Sequence, residues 1–198
     1  YHSGVGGLAP PRAVEAVERA VARAGTADEL LEAVATEVGK VVPYDGGMWF
    51  GVDPTTLLAV APARMERVDA GYCQAFWHGE FHEQDANLFG DLAARPTPAA
   101  SLRATTNDTP LRSARYREFL QPQGYDDELR AVFRTGDRTW GVAALLREKG
   151  REPFTEADIA LFTAISGVVG KAFRTQAAMA VSPSLLSDAP GLLVFDGN

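Results

Sequence analysis

Two histidines, His78 and His82, stand four positions apart and are the first residues whose types and spacing suggest chemistry. On a helix, this spacing places both imidazoles on one side, where they are suited to bind a metal ion. Glu83 and Asp85 follow closely. The stretch lacks a His-Glu-x-x-His pattern and a defined third ligand, which favours surface histidines in polar contacts. We therefore predict no metal site and no cofactor.

Charged residues form an acidic run and a basic run in the second half of the chain. Paired carboxylates can do acid–base catalysis when an apolar wall shifts one pKa. Three consecutive acids at the start of a strand are more typical of solvated carboxylates, or of carboxylates paired with nearby arginines. The acids are Asp126, Asp127 and Glu128, next to Arg130, and the basic run contains Arg112, Arg115 and Arg117.

An enzyme with a pocket built around Asp126, Glu128 and His78 is the alternative that this pattern leaves open. Proton transfer requires such groups within hydrogen-bond reach, or at most one water apart. The sequence contains no Walker loop, nucleophile elbow or Rossmann glycine pattern. We therefore predict no catalytic residues and no enzyme activity.

Composition limits the classes of function. The 198 residues are 46% hydrophobic and 23% charged, which is typical of a globular domain with a real core. A formal charge of −7 argues against a nucleic-acid surface along the whole chain, because phosphate binding needs clustered Lys and Arg. Cys73 is the only cysteine, so an internal disulfide is excluded. With no long apolar run and no export signal, we expect a cytoplasmic protein without membrane contact.

The elements that must position these residues begin with helices. Valines at three- and four-residue spacing predict a helix over residues 12–24. Thr26 and Glu29 form a capping box that predicts a second helix, running to about residue 42. Aromatic residues at helical spacing predict a third helix over 65–82. A fourth helix is predicted to start at the Thr109-Pro110 pair and to reach residue 120. A long last helix is predicted to begin with the capping box and hydrophobic staple at 154–159.

Strands are predicted between these helices. Apolar residues between turn residues predict a first hairpin from 46–52 and 57–61. Alternation predicts a second hairpin over 129–134 and 140–146, with the turn at 135–137 and with Trp140, Val142, Ala144 and Leu146 on one face. A short strand is expected at 101–105. The polar span 83–98 is expected to form loops and short helical turns.

The ends of the chain differ in character from the middle. Residues 1–11 are expected to be a flexible lead-in, and 12–175 form the main domain. After Arg174 small residues predominate, and Ser182-Pro-Ser184 is typical of a linker. Residues 191–196 have the pattern of a first strand. We therefore expect residues 176–198 to be a linker followed by the start of a truncated second domain.

This order of elements resembles a GAF domain, an α+β fold with a central antiparallel sheet and helices on its faces. The stretches that carry the resemblance are Glu118–Tyr125, Asp127–Arg130, Gly136–Gly141 and Leu146–Thr155. The sequence is most similar to the GAF-like sensory domains of actinobacterial regulators that end in a LuxR-type helix-turn-helix. In such regulators, the phrase at 190–196 is similar to the start of a PAS-type domain.

The resemblance implies a small-molecule pocket rather than one of the family's better-defined chemistries. Cyclic-nucleotide-binding relatives carry an Asn-Lys-x-x-x-Phe-x-x-x-Asp-Glu motif, of which only Asp127-Glu128 is present. Bilin-binding relatives attach pigment through a cysteine beside a histidine, whereas Gln74 follows Cys73. Methionine sulfoxide reductases of this family need several cysteines. Aromatic residues are typical of pocket linings, and also of ordinary cores. The candidate pocket residues are Trp49, Phe76, Trp77, Phe81, Tyr125 and Trp140.

These observations favour a noncatalytic ligand- or partner-sensing domain of a bacterial transcription regulator. We expect an unknown small-molecule ligand and a homodimer through the terminal helices, with no direct DNA contact by this part of the protein. The alternatives are the enzyme described above and a purely structural dimerisation domain with a filled core.

Overall fold

A computed structural model describes residues 11–181 and contains a five-stranded antiparallel sheet with helices on both faces. The strands lie in the order β2-β1-β5-β4-β3. This arrangement is the predicted α+β class. The strand bounds are β1 Gly46–Val52, β2 Ala59–Glu66, β3 Ala99–Ser101, β4 Tyr125–Thr135 and β5 Arg138–Glu148.

Helices account for most of the remaining chain. The long terminal helices pack on one face of the sheet, and the shorter ones cover the other. None of the helices between residues 11 and 181 combines the length and apolar character that crossing a membrane requires. The helix bounds are α1 Pro11–Arg23, α2 Ala27–Gly39, α3 Cys73–His82, α4 Phe89–Ala94, α5 Leu102–Thr105 and α6 Glu156–Val181.

Two separate apolar cores follow from the alternation of side chains along the strands. On the first face, Trp49, Leu129 and Phe133 pack against α1, α2 and α6. On the second face, Phe50, Val132 and other alternate residues pack against α3, α4 and the segment before β4. We call these the helical face and the aromatic face of the sheet.

Both capping boxes and the second hairpin are confirmed. Thr26 accepts from the Glu29 amide, and the Glu29 carboxylate accepts in return from the Thr26 amide at 3.3 Å. Thr155 and Asp158 exchange the equivalent bonds at 2.8 and 3.2 Å. Strands β4 and β5 pair around Gly136, whose positive φ of 64° suits a tight turn.

The first hairpin and the third helix differ from their predicted bounds. The Asp53 carboxylate accepts from two amides of the following turn, so β2 begins at Ala59 rather than residue 57. Strand β2 then continues to Glu66, which pairs with Gly47. The helix predicted over 65–82 therefore starts only at Cys73. The positive φ of 51° at Arg67 is incompatible with a right-handed helix at that position.

Predictions for the segment before β4 were wrong in detail. The short strand is Ala99–Ser101, and Ser101 caps the helical turn α5 that replaces the predicted strand residues 102–105. The helix predicted up to residue 120 is divided into a 3₁₀ turn, Pro110–Arg112, and a π-helical turn, Tyr116–Leu120. The break lies at Ser113, whose hydroxyl accepts from the Tyr116 amide.

Two further differences concern Trp140 and the last helix. The β4–β5 register shifts at Arg134, and Trp140 packs against the helical face, not with Val142 on the aromatic face as predicted. Helix α6 continues past Arg174 to Val181, into the stretch assigned to a linker. The predicted lead-in up to residue 10 and the rest of the linker and second domain lie outside the described residues.

Candidate functional site

A groove on the surface of the aromatic face lies between helix α3 and the start of β2. Its volume is about 540 Å³. Two apolar side chains remain well exposed in it, Phe81 at 39% and Leu58 at 53%. The groove is open to solvent, so a ligand can enter without unfolding the domain. Its lining residues are Leu58, Ala59, Gln74, Trp77, His78, Phe81 and His82.

Spacing along α3 explains why this groove is aromatic. Trp77 and Phe81 are four residues apart, so their rings meet on one side of the helix, with centroids 5.9 Å apart and nearly parallel planes. Trp77 also contacts the buried rings of Phe50 at 5.2 Å and Phe76 at 5.1 Å. The aromatic contacts therefore run without interruption from the core to the groove.

The histidine pair lies on the same helix. His78 and His82 have ring centroids 5.1 Å apart, and His78 Nε2 lies 3.9 Å from Glu83 Oε1. Across residues 11–181, no three His, Cys, Asp or Glu side chains are grouped closely enough to hold a metal ion. The two imidazoles are thus polar groups at the rim of the groove that can hydrogen-bond to a ligand.

A cluster of buried charges lies below α3, between that helix and the sheet. Glu128 and Arg130 point from β4 toward the aromatic face. Arg115 Nε donates to Glu128 Oε2 at 2.8 Å, and Arg130 Nη1 lies 2.8 Å from Glu80 Oε2 of α3. Asp85 accepts from the Arg115 amide at 2.8 Å. We call these residues, Glu80, Asp85, Arg115, Glu128 and Arg130, the buried ion cluster.

The pKa values of the two buried arginines are shifted in opposite directions. Desolvation is the main cause that lowers the pKa of Arg130, and the nearby Arg115 guanidinium lowers it further. Desolvation also acts to lower the pKa of Arg115, but attraction to Glu128 and Asp85 outweighs it and raises that pKa. The cluster therefore depends on close opposite charges, since an unpaired buried charge is strongly unfavourable.

Several atoms of this cluster have no hydrogen-bond partner. Arg130 Nε and Nη2, Arg115 Nη1 and Glu128 Oε1 are buried without one. Glu80 Oε2 is close to Arg130 but lacks hydrogen-bond alignment with it. Buried polar groups are almost always satisfied, so this concentration of unsatisfied donors and acceptors is unusual for a protein interior.

The acidic run is distributed over three environments, and its carboxylates are paired rather than solvated. Asp126 accepts from the Tyr116 hydroxyl at 2.8 Å and from Arg103 Nη2 at 2.7 Å. Burial acts to raise the pKa of Asp126, but these bonds outweigh burial and lower it. Glu128 lies in the buried ion cluster and is fully buried.

Asp127 points toward neither of these environments. Its carboxylate accepts from the Ser101 hydroxyl and from the Arg103 and Phe154 amides, at 3.2, 3.1 and 2.8 Å. Burial raises the pKa of this carboxyl group. The side chain therefore ties β4 to α5 and to the segment before α6, which is a structural role.

The residues of the alternative enzyme site are not brought together. His78 is exposed on α3, 3.9 Å from the Glu83 carboxylate, whereas Glu128 is fully buried with Arg115. Asp126 is paired with Arg103 at the edge of the domain. Each group has its own partners, and the arrangement provides no shared space for a reacting atom.

The six predicted pocket residues are divided between the two faces. Phe76, Trp77 and Phe81 belong to α3, and only Trp77 and Phe81 line the groove. Tyr125 is buried on the aromatic face, and its hydroxyl donates to the Arg67 carbonyl. Trp49 and Trp140 pack on the helical face, Trp49 against Phe133 and Phe162, away from the groove.

Sequence reasoning did not find Glu80 or its pairing with Arg130. Glu80 follows Phe76 by four residues, so it shares the buried side of α3, and that spacing was the available signal. Arg130 alternates with Leu129 and Ala131 in a strand that is buried on both faces. A charged residue at such a position requires an opposite charge nearby.

Comparisons with known proteins agree with this architecture. The sequence pattern of the GAF domain family matches residues 26–173. The GAF domain of a phosphoenolpyruvate-protein phosphotransferase from Coxiella burnetii is 12% identical, with a TM-score of 0.54 over 88% of this chain and 96% of that one. The corresponding Acinetobacter GAF domain is 10% identical, with a TM-score of 0.54 over 86% and 96%.

A third solved structure contains a ligand. JSC1_58120g3, in its far-red absorbing dark state with bound biliverdin IXa, is 11% identical, with a TM-score of 0.50 over 83% of this chain and 99% of that one. At these identities the similarity concerns the fold alone. A search of the curated proteins found no match.

Proposed function

The chain belongs to the GAF family, and from this premise we propose that it is the noncatalytic, ligand- or partner-sensing regulatory domain of a bacterial transcription regulator. GAF domains are generally regulatory, ligand-sensing domains and are typically noncatalytic. The observation that carries the proposal is the groove on α3, because apolar side chains of its wall, Phe81 and Leu58, remain exposed to solvent. Exposed large apolar surface usually marks a binding site.

The chemistry of the groove indicates the kind of ligand. Trp77 and Phe81 offer flat apolar surfaces for stacking, and His78 and His82 add donors or acceptors at the rim. A few polar groups around an apolar wall are typical of small-molecule sites. We propose a small molecule with a planar apolar part as the ligand of this groove.

Trp77 provides a direct test of the ligand site. The chain has three tryptophans, and of these only Trp77 lines the groove. Native mass spectrometry of the purified protein should reveal a bound compound. Adding that compound to ligand-free protein should change the tryptophan fluorescence, because Trp77 would leave water on binding.

The control variants separate the groove from the rest of the domain. Trp77→Phe should lose the fluorescence response, whereas Trp140→Phe should keep it, since Trp140 packs on the helical face. A response that survives Trp77→Phe and disappears in Trp140→Phe would remove the groove from the proposal.

DNA binding is assigned to another part of the regulator. The resemblance to regulators with a LuxR-type helix-turn-helix supports this arrangement, and the formal charge of −7 makes a DNA contact by this domain unfavourable. A ligand regulates such a protein only if it binds one of two states more tightly than the other. The expected readout is a ligand-dependent change in shape or dimer geometry.

A homodimer through the terminal helices is part of the proposal. An apolar groove of about 280 Å³ lies between α1 and α6, with Val21, Ala24 and Val168 among its lining residues. Met179 on the same surface is 58% exposed. Val17 is unsuitable as an interface residue, because it is 1% exposed and packs in the core of its own chain.

Met179→Glu tests this surface without disturbing the core. Analytical ultracentrifugation should show a dimer for the unmodified chain and a monomer for Met179→Glu, because burying an unpaired carboxylate at the interface is unfavourable. Ala177→Glu is the matched control, an exposed residue of the same helix outside the groove. A monomer at all concentrations for the unmodified chain would contradict the dimer.

A further inference from the structure

Glu80 is an unusual residue in the helix that covers the aromatic face. Phe76 and Glu80 are the buried residues of α3, and the partly buried Trp77 adds a contact with Phe50 of β1. Glu80 Oε1 accepts from the Phe89 amide at 2.6 Å, and Oε2 pairs with Arg130. The attachment of α3 therefore depends in part on a charge rather than on apolar packing alone.

The Arg130 guanidinium group uses only part of its hydrogen-bonding capacity. Its guanidinium group lies 3.8 Å from the centre of the Phe89 ring and 5.2 Å from that of Phe76. The same nitrogen, Nη1, pairs with Glu80 and donates to the Asn87 carbonyl. Nε lies 3.6 Å from Glu128 Oε1, too far for a hydrogen bond, and Nη2 is buried without a hydrogen-bond partner, although a guanidinium fork can bind a carboxylate through two parallel bonds. Glu80 thus uses only part of the fork.

The charge balance of the buried ion cluster restricts what can bind there. Two arginines, Arg115 and Arg130, face three carboxylates, those of Glu80, Asp85 and Glu128. The carboxylates already outnumber the arginines, and an additional anion would increase this excess of negative charge in a dry environment, which is strongly unfavourable. A monoanion that takes the place of Glu80, with Glu80 moving into solvent, leaves the balance unchanged.

The surroundings determine the rest of the ligand. Arg130 lies between aromatic rings, and α3 continues from Phe76 to Trp77 at the surface groove. A ligand that reached Arg130 would place its body among these rings. An apolar or aromatic body fits them, and a polar body would lose its hydration without replacement.

We propose that Glu80 holds the place of a ligand carboxylate, and that the Arg130 fork binds a monocarboxylate with an apolar body in exchange for Glu80. The exchange releases Glu80, which is one of the two buried residues of α3. The inference rests on the proposed sensory function and names the class of ligand. It extends the binding site from the surface groove to the buried ion cluster.

Replacing Glu80 provides the test. Glu80→Ala removes the internal competitor and leaves Arg130 with only the more distant Glu128 as an ion-pair partner, so the variant should unfold at a lower temperature and recover in sodium benzoate. Benzamide and sodium chloride at equal concentration are the neutral and ionic controls. We expect the affinity of Glu80→Ala for benzoate to exceed that of the unmodified chain by about tenfold or more, because a binding-competent Arg130 no longer has to be freed.

Two further variants make the test decisive. Glu80→Gln keeps the shape of the side chain and should also bind benzoate more tightly, which covers the case that Glu80→Ala does not fold. Glu83→Ala removes a carboxylate just past the end of α3 that pairs only with His78, and should leave the affinity for benzoate unchanged. In the unmodified chain, saturating benzoate should accelerate amide hydrogen exchange in α3.

The result that overturns the proposal is equal stabilisation of Glu80→Ala by benzoate and benzamide. A gain in Glu83→Ala as large as that in the Glu80 variants would overturn it too. If native mass spectrometry finds a bound compound while the Glu80 variants show no preference for benzoate, sensing stands and the exchange is wrong. If benzoate accelerates amide exchange in α3 of the unmodified chain and the Glu80 variants prefer benzoate, while native mass spectrometry finds no bound compound, the exchange stands and the proposed sensing is wrong. If the Glu80 variants prefer benzoate but benzoate leaves amide exchange in α3 of the unmodified chain unchanged, the exchange is wrong.

Discussion

The two faces of the sheet are stabilised in different ways. The helical face is packed with apolar side chains of α1, α2 and α6 around Trp49 and Phe133. The aromatic face combines its rings with the buried ion cluster, in which several polar atoms are unsatisfied. Apolar packing tolerates small adjustments, whereas buried charges require specific partners. This difference supports the proposal that the aromatic face responds to a ligand while the helical face maintains the fold.

The largest expected effect tests the aromatic face. Arg130→Met should lower the free energy of unfolding by about 3–5 kcal/mol, because Glu80 would remain buried without its ion-pair partner and Glu128 would keep only Arg115. Urea denaturation measures this loss. Arg134→Met is the matched control on the same strand. Arg134 is only half-buried and donates to two carbonyl groups, so about 1 kcal/mol is expected. Equal losses of unfolding free energy in the two variants would show that the buried ion cluster contributes no more to stability than the hydrogen bonds of Arg134.

A smaller effect tests the packing of the helical face. A Cβ atom on Gly170 would lie 2.7 Å from the backbone of Arg134, so α6 and β4 would have to separate. Gly170→Ala should therefore lower the free energy of unfolding by about 1–3 kcal/mol. Gly167→Ala is the control in the same helix, with nothing within 4 Å of the added atom, and should be neutral or stabilising. An unchanged stability for Gly170→Ala would mean that this face is less tightly packed than the distances indicate.

The smallest effect concerns a polar pair at the edge of the helical face. Burial, followed by the charge of Glu66, raises the pKa of Tyr44 to about 12 from its ordinary value of 10.0. The phenol of the folded state holds its proton while that of the unfolded state loses it. The contribution of this group to stability is therefore complete below pH 10.0 and is lost as the pH rises to about 12.

Tyr44→Phe should reduce this pH dependence. Urea denaturation between pH 10 and about 12 should show a smaller decrease in stability for Tyr44→Phe than for the unmodified chain. Ultraviolet titration should also lose its highest tyrosine step. Tyr72→Phe is the control, because Tyr72 packs only at the edge of the aromatic face. Identical curves for all three proteins would exclude Tyr44 as the group responsible.

Local patterns predicted the parts of the fold that local physics determines. The capping boxes at Thr26 and Thr155 and the β4–β5 hairpin follow from short spacings and were confirmed. The start of α3 could not be predicted, because it depends on the backbone conformation of Arg67 and on the pairing of β2 with β1. Aromatic spacing identified Trp77 and Phe81, which line the groove.

Contacts between distant parts of the chain explain what was missed. Glu80 and Arg130 are far apart in sequence, and only the folded chain shows that they pair. The same holds for Trp49 and Trp140, since the face that a strand residue occupies depends on register. Aromatic type alone does not distinguish a pocket wall from a core, so the candidate set was divided between both faces.

Strand β4 contributes to both faces of the sheet and directly connects the buried ion cluster with helix α6. The Arg130 side chain lies in the buried ion cluster, while the Val132 carbonyl accepts from Ser166 of α6 at 2.8 Å. Two residues of extended strand cover only about 7 Å. Helix α6, with its 26 residues, is a lever about 39 Å long. A ligand that shifted β4 at Arg130 would therefore move a strand that is hydrogen-bonded to the middle of this helix, and α6 would carry the change toward Val181.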